Sequence, residues 1–142
     1  MKLKIKKLNQ EAIIPNYSYD DDAGFDLFSV EDLEIKPNQR VQVPTGIALQ
    51  IPIGFVGLIW DKSGLSHNFG LKTLGGVVDS GYRGEVKVGI VNLSDEIYVV
   101  KKGQKIAQMI IQQKETCEIE EVDELDNSER GEGGFGSSGI FS

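Results

Sequence analysis

The sequence predicts an all-β domain of the sandwich, jelly-roll or barrel kind, and three observations predict it. Short apolar–polar alternations recur roughly every 8–12 residues. Turn-forming Gly, Pro, Asn and Asp separate them. No window of about 12 residues carries a 3.6-residue apolar period. The 142 residues suffice for one domain that buries roughly two-thirds of its unfolded surface.

In chain order, Lys2-Leu3-Lys4-Ile5-Lys6 alternates strictly and reads as an edge strand with its lysines in water. Residues 15–23 form a polar loop. The strand beginning at Ala23-Gly24-Phe25-Asp26-Leu27-Phe28 contains a carboxylate, and Asp is uncommon in strands, so Asp26 needs a partner or a chemical role. Leu33-Glu34-Ile35 is a short strand, and residues 36–39 are a turn. Val41 to Ile51 alternates around Pro44-Thr45-Gly46, and residues 52–54 turn again. Phe55 to Trp60 is apolar on both faces, which predicts a central strand with Trp60 in the core. Ser63 is the expected cap of one helical turn, whose N-terminus is open to an anion. Ile97–Val100 and Lys105–Gln113 are strands, and Thr116–Val122 alternates as a last edge strand.

The stretch 75–85, GGVVDSGYRGE, reads as a hairpin: Val77-Val78 enters, Asp79-Ser80-Gly81 turns, and Val86-Lys87-Val88 leaves. Asp79 is fixed near the π-face of Tyr82 and the cation of Arg83. That arrangement suits a general base beside a flat anionic ligand, or simply an Asp-Gly turn with an exposed ion pair.

The net charge of −7 argues against nucleic acid or an anionic membrane as main partner, but not against a small polyphosphate held by local cations and a metal. A single cysteine, Cys117, excludes an intrachain disulfide and suits a reducing compartment. The basic N-terminus lacks a signal peptide's apolar run, and no segment reaches the ~20 apolar residues of a membrane span. A cytoplasmic protein is expected. The only histidine, His67, reads as a loop residue. No GxxxxGK[ST] or GxGxxG is present.

Composition changes at Asp123. Residues 123–130 are acidic and unpatterned, and 131–142 are rich in Gly and Ser, so this tail cannot bury enough apolar area to order itself. It is either a plain flexible terminus or a clamp that orders on a ligand, for which Arg130 and Phe135 supply a cation and a stacking ring. The expected organisation is a β domain over 1–122 and a flexible arm over 123–142.

Five segments occur in one order: AGFDL (23–27), DKSGLS (61–66), GGVVDSGYRGE (75–85), GQKIAQ (103–108) and RGEGGFGSSG (130–139). In this order and spacing the chain resembles the trimeric deoxyuridine triphosphatases (dUTPases). The resemblance implies a jelly-roll-like homotrimer with three sites shared between chains. It implies Mg2+-dependent attack of water on the α-phosphorus of dUTP, giving dUMP and pyrophosphate. That reaction limits uracil incorporation into DNA and supplies dUMP for dTMP synthesis.

It further implies that Asp79 holds the water as general base and that Tyr82 packs beneath the deoxyribose and excludes a 2′-hydroxyl. The hairpin backbone, including Gly76, Val78 and Lys87, reads the uracil edge. Lys62, Ser63 and Gly64 hold phosphate oxygens, and Gln108 contacts the α-phosphate region. Arg130 binds the γ-phosphate, Phe135 stacks on uracil, and Gly136, Ser137 and Ser138 close over the phosphates. The triphosphate and waters carry the Mg2+, with Asp26 and Gln108 in its outer shell or in the site wall.

Two places depart from the family pattern. Asp61-Lys62 stands where Pro-Arg is usual, and Gln104-Lys105 stands where Asp-Arg is usual; lysine keeps the charge but loses the planar fork. Two rivals remain. The dCTP deaminases share the fold, but their catalytic glutamate falls on Gly89 here. A binding module that keeps the site without the activity is the other.

Overall fold

The computed structural model describes residues 1–141; Ser142, the last residue of the expected arm, lies outside them. Ten strands and one short helix follow in order. They are β1 (Lys4–Lys7), β2 (Phe25–Phe28), β3 (Leu33–Ile35), β4 (Arg40–Gln50), β5 (Phe55–Trp60), α1 (Ser63–Phe69), β6 (Leu71–Leu74), β7 (Val77–Val78), β8 (Glu85–Asn92), β9 (Tyr98–Val100) and β10 (Lys105–Gln113). Two four-stranded antiparallel sheets, ordered β1-β4-β8-β6 and β2-β10-β5-β7, make a jelly-roll-like sandwich, and β3 pairs with β9 beside them. The all-β expectation holds.

Alternation explains the layers. Along β8, Val86, Val88, Ile90 and Asn92 point inward while the residues between them face outward. They meet Leu27, Val43, Ile47, Ile106 and Met109 in one core. Asn92 is a polar residue in that core, fully buried and fully satisfied. Its Nδ2 donates to the carbonyls of Ile35 (2.8 Å) and Glu96 (2.7 Å), and its Oδ1 accepts from the Ser94 amide and hydroxyl.

β1 is an edge strand as read, with Lys4 and Lys6 exposed, although its ladder starts two residues later than expected. β5 is interior, between β10 and β7. Four sequence expectations are corrected. Trp60 is not core: Gly57 and Ile59 face inward, so Trp60, at the strand's end, faces the other way and is 51% exposed. Lys62, not Ser63, is the N-cap of α1, and no side chain caps that end. His67 lies exposed in the last turn of α1 and not in a loop.

The fourth concerns Thr116–Val122, which forms no strand. Its residues are exposed, because an alternating pattern makes a segment able to pair but does not supply a partner in its own chain. The ladders end at Gln113. No helix among the described residues is long and apolar enough to cross a membrane.

Candidate functional site

The stretch 75–88 is not a paired hairpin. Val78 and Val77 pair with Gly57 and Leu58 of β5, whereas β8 pairs with β4 and β6, so residues 79–84 carry the chain from one sheet to the other. Gly76 enforces the first attachment. Its φ is 103°, its carbonyl accepts from the Ile59 amide at 2.8 Å, and a Cβ there would lie 2.8 Å from the Ile59 carbonyl. The turn itself is as read: the Tyr82 amide donates to the Asp79 carbonyl at 3.1 Å.

This crossing bounds an open cleft of about 520 Å³ whose lining includes Gln42, Gly76, Val78, Asp79, Tyr82 and Lys87. Asp79 is exposed there, and its carboxylate has no hydrogen-bond or ion-pair partner among the described residues. Tyr82 is held in place. Its hydroxyl donates to the Glu85 carbonyl at 2.9 Å, and its ring lies over Gly84, where a Cβ would fall 2.4–2.9 Å from ring and hydroxyl atoms. Glu85 is committed elsewhere, accepting from the Gly46 amide at 2.9 Å. Thr45 donates to the Val86 carbonyl, so β4 braces the base of the cleft.

A second group gathers at the other expected segments. Asp26 is buried to 2% exposure. Its Oδ1 accepts from Lys62 Nζ at 2.6 Å, and its Oδ2 accepts from Lys105 Nζ at 2.7 Å and Ser18 Oγ at 2.8 Å. Gln108 faces Asp26 across the β2–β10 ladder, and its Nε2 donates to the Asp61 carbonyl at 2.9 Å. Gly24 leaves room for it, since a Cβ there would touch Gln108 Oε1 at 3.2 Å. The Asp61 carboxylate accepts from the Thr73 amide and Lys72 Nζ, both at 2.7 Å, and thereby ties the end of β5 to β6. Ser63 and Gly64 are exposed at the start of α1. Among the described residues no three His, Cys, Asp or Glu side chains converge as a metal cage.

The third group is the tail. Arg130 Nε donates to the Gly133 carbonyl at 2.6 Å. Phe135, at φ 47° and fully exposed, precedes Gly136, and Ser137 and Ser138 are exposed beside them. Within one chain, then, the cleft collects Gly76, Val78, Asp79, Tyr82 and Lys87. The cluster around Asp26 collects Lys62 and Gln108 beside Ser63, and the tail residues keep to themselves.

Sequence reasoning missed Ser18, Gln42 and the side chain of Asp61. It flagged Asp26 as a residue in need of partners, but not that both unusual lysines would supply them.

Both buried-side carboxylates carry a pH signature. Burial pushes the Asp26 carboxyl up from its ordinary 3.8, but hydrogen bonds from Lys105, Lys62 and Ser18 outweigh it and hold the carboxyl lower. Burial likewise pushes Asp61 up, and Lys72 with the Thr73 amide brings it below 3.8. The folded chain therefore binds fewer protons than the unfolded chain in this range, so stability rises with pH. It is fully present above the ordinary carboxylate value and is lost as pH falls through the lowered folded-state values. The melting temperature should hold down to about pH 5 and then fall. Asp26→Asn should make that fall shallower, and an unchanged acid slope in this variant would remove Asp26 from the explanation.

Comparison with known proteins places this geometry in company. A family model described as dUTPase matches residues 10–139. The chain is 50% identical over 141 residues to the deoxyuridine 5'-triphosphate nucleotidohydrolase of Clostridium kluyveri, covering 98% of this chain and 99% of that protein. Among solved structures, the Staphylococcus bacteriophage 80alpha dUTPase with dUPNHPP superposes with a TM-score of 0.91 at 33% identity, covering 98% of this chain and 99% of the other. A mutant dUTPase from phage phi11 of S. aureus, whose structure concerns the coordination of a structural Mg(II) ion, gives 0.84 at 27% identity over 89% and 100% of the two chains.

Proposed function

The chain belongs to the dUTPase family, and from that premise we infer that it is a hydrolase converting dUTP to dUMP and pyrophosphate. The observation that carries the reading to this chain's own residues is the cleft at the sheet crossing, where Asp79 and Tyr82 line one wall.

In this reading the uracil edge meets the backbone of Gly76, Val78 and Lys87, and the deoxyribose rests on Tyr82. Asp79 takes a proton from the attacking water. Its carboxylate suits that role because no neighbour among the described residues occupies it. Phosphoryl transfer asks the protein for position and charge more than for covalent chemistry. Lys62, Ser63, Gly64 and Gln108 supply that position at the phosphates. Arg130, Phe135, Gly136, Ser137 and Ser138 cover the substrate from the tail.

The separation of these three groups within one chain supports a homotrimer that joins them across subunits. The exposed apolar residues Trp60, Leu74 and Val77 suit burial in such an assembly. Mg2+ entering with the triphosphate fits a chain whose described residues form no cage, and when bound it neutralises phosphate charge. Three donors nearly fill the Asp26 carboxylate, which favours the site wall over the metal's outer shell as its role. We assign the protein to the cytoplasm, where its free cysteine stays reduced.

The deaminase rival meets a steric obstacle. At Gly89 a Cβ would lie 2.9 Å from the Leu74 carbonyl, so a glutamate there requires the β6–β8 ladder to move. Pyrophosphate release measured side by side from dUTP, dCTP, dTTP and UTP, with Mg2+ and with chelator, tests the reading. Strong preference for dUTP is expected; ammonia from dCTP, or no turnover at all, would overturn it.

Gly84 offers a sharper check. Because its missing Cβ makes room for the Tyr82 ring, Gly84→Ala should swing that exposed ring away while leaving the melting curve near wild type. The kcat/KM for UTP relative to dUTP should then rise by about tenfold or more. An unaltered ratio would show that the ring position does not exclude the 2′-hydroxyl.

A further inference from the structure

The two departures from the family pattern, Lys62 and Lys105, meet on one carboxylate. Asp26 Oδ1 has Lys62 alone, at 2.6 Å, whereas Oδ2 has Lys105 at 2.7 Å and Ser18 at 2.8 Å. Lys105 Nζ also donates to Ser18 Oγ at 2.7 Å, which closes a ring of three groups around Oδ2. Lys62 is therefore tied once and Lys105 twice. The lysine side chains are 31% and 46% exposed, while the carboxylate is 3% exposed.

One buried negative charge thus faces two ammonium groups, leaving a net charge of about +1 in the cluster. A buried carboxylate stripped of all cations is costly, so one lysine must stay. A lysine, unlike an arginine fork, is a point charge on a flexible stem that can exchange one oxygen partner for another.

Resting on the dUTP reading above, we propose that Lys105 is a positioning residue: it keeps Asp26 neutralised while Lys62, beside Ser63, leaves that carboxylate for the substrate's phosphates. Lys105 anchors and Lys62 moves. Without Lys105, Asp26 has one cation left and retains it, so Lys62 is withheld from the ligand.

The test titrates the full-length protein calorimetrically with dUpNHpp and Mg2+, and separately by NMR with deoxyuridine, which lacks phosphates. Wild type binds both. Lys105→Met should weaken dUpNHpp binding by about tenfold, the scale of one hydrogen bond to a charged group, and leave deoxyuridine binding unchanged. Lys105→Arg should bind as wild type. Asp26→Asn combined with Lys105→Met should recover most of the lost affinity, because a neutral amide no longer holds Lys62.

Unchanged dUpNHpp affinity in Lys105→Met overturns the proposal. So does an equal loss of deoxyuridine binding, which marks a general structural role, or a double variant no better than Lys105→Met, which marks direct contact with the ligand. Melting curves show whether each variant folds. If the Asn double variant does not, Lys62→Met with Lys105→Met replaces it: affinity no weaker than Lys62→Met alone supports the proposal, and multiplied losses overturn it. Failure of wild type to bind dUpNHpp would overturn the dUTP reading and this inference together, whereas wild-type binding with an indifferent Lys105 overturns the inference alone.

Discussion

Replacing Asp79 by Asn should lower dUTP turnover by about 10²–10⁴, the usual worth of a general base, or roughly 3–5 kcal/mol of barrier. Affinity for dUpNHpp should be kept. The amide has the shape of the carboxylate, and Asp79 has no structural partner among the described residues to lose, so the fold is not at risk. The turn survives as well, since the Tyr82 amide bonds to the Asp79 carbonyl and not to its side chain. Single-turnover hydrolysis beside calorimetry separates the two effects. Near-normal turnover in the variant would remove Asp79 from the role of base.

A second large effect is expected on mixing two inactive chains. Truncation after Leu125 removes Arg130 and Phe135, which make no bond to the body of their own chain among the described residues, and should abolish most activity without lowering the melting temperature. Asp79→Asn should be nearly inactive for another reason, the loss of the proposed base. Co-refolded, some sites in mixed trimers would combine an intact Asp79 from the truncated chain with an intact arm from its neighbour. Partial recovery of dUTP hydrolysis is expected, with native mass spectrometry confirming that mixed trimers form. Mixed trimers without recovered activity would mean that the arm serves its own chain, and the shared-site reading would fall.

What the residues disclosed in advance, and what they did not, divides along a physical line. Alternation is a local signal, so β4, β8 and β10 were legible from Val43, Val88 and Met109 and their neighbours. Partnership is not local. Val77-Val78 and Val86-Lys87-Val88 flank a good turn, yet they belong to opposite sheets: the first pairs with β5 and the second with β4. β6 went unread, since Leu71-Lys72-Thr73-Leu74 is too short to show a period. The site behaved likewise. Asp26 announced its need for a partner, but Lys105 lies far along the chain, and only the β2–β10 register brings the two together.

That register also orders the birth of the molecule. β10 lies between β2 and β5, so until the last strand is synthesised β2 has no partner and β5 is open on the side away from β7. The β5–β7 pair can form earlier, but β2 joins that sheet only in a late event, once β10 exists. Pairing so distant in sequence closes slowly, on a scale of milliseconds to seconds for β proteins of this kind. The Asp26–Lys105 contact arrives in that same event, so the Asp26 cluster matures last, while the β4–β8 ladder that braces the Asp79 cleft can form without it.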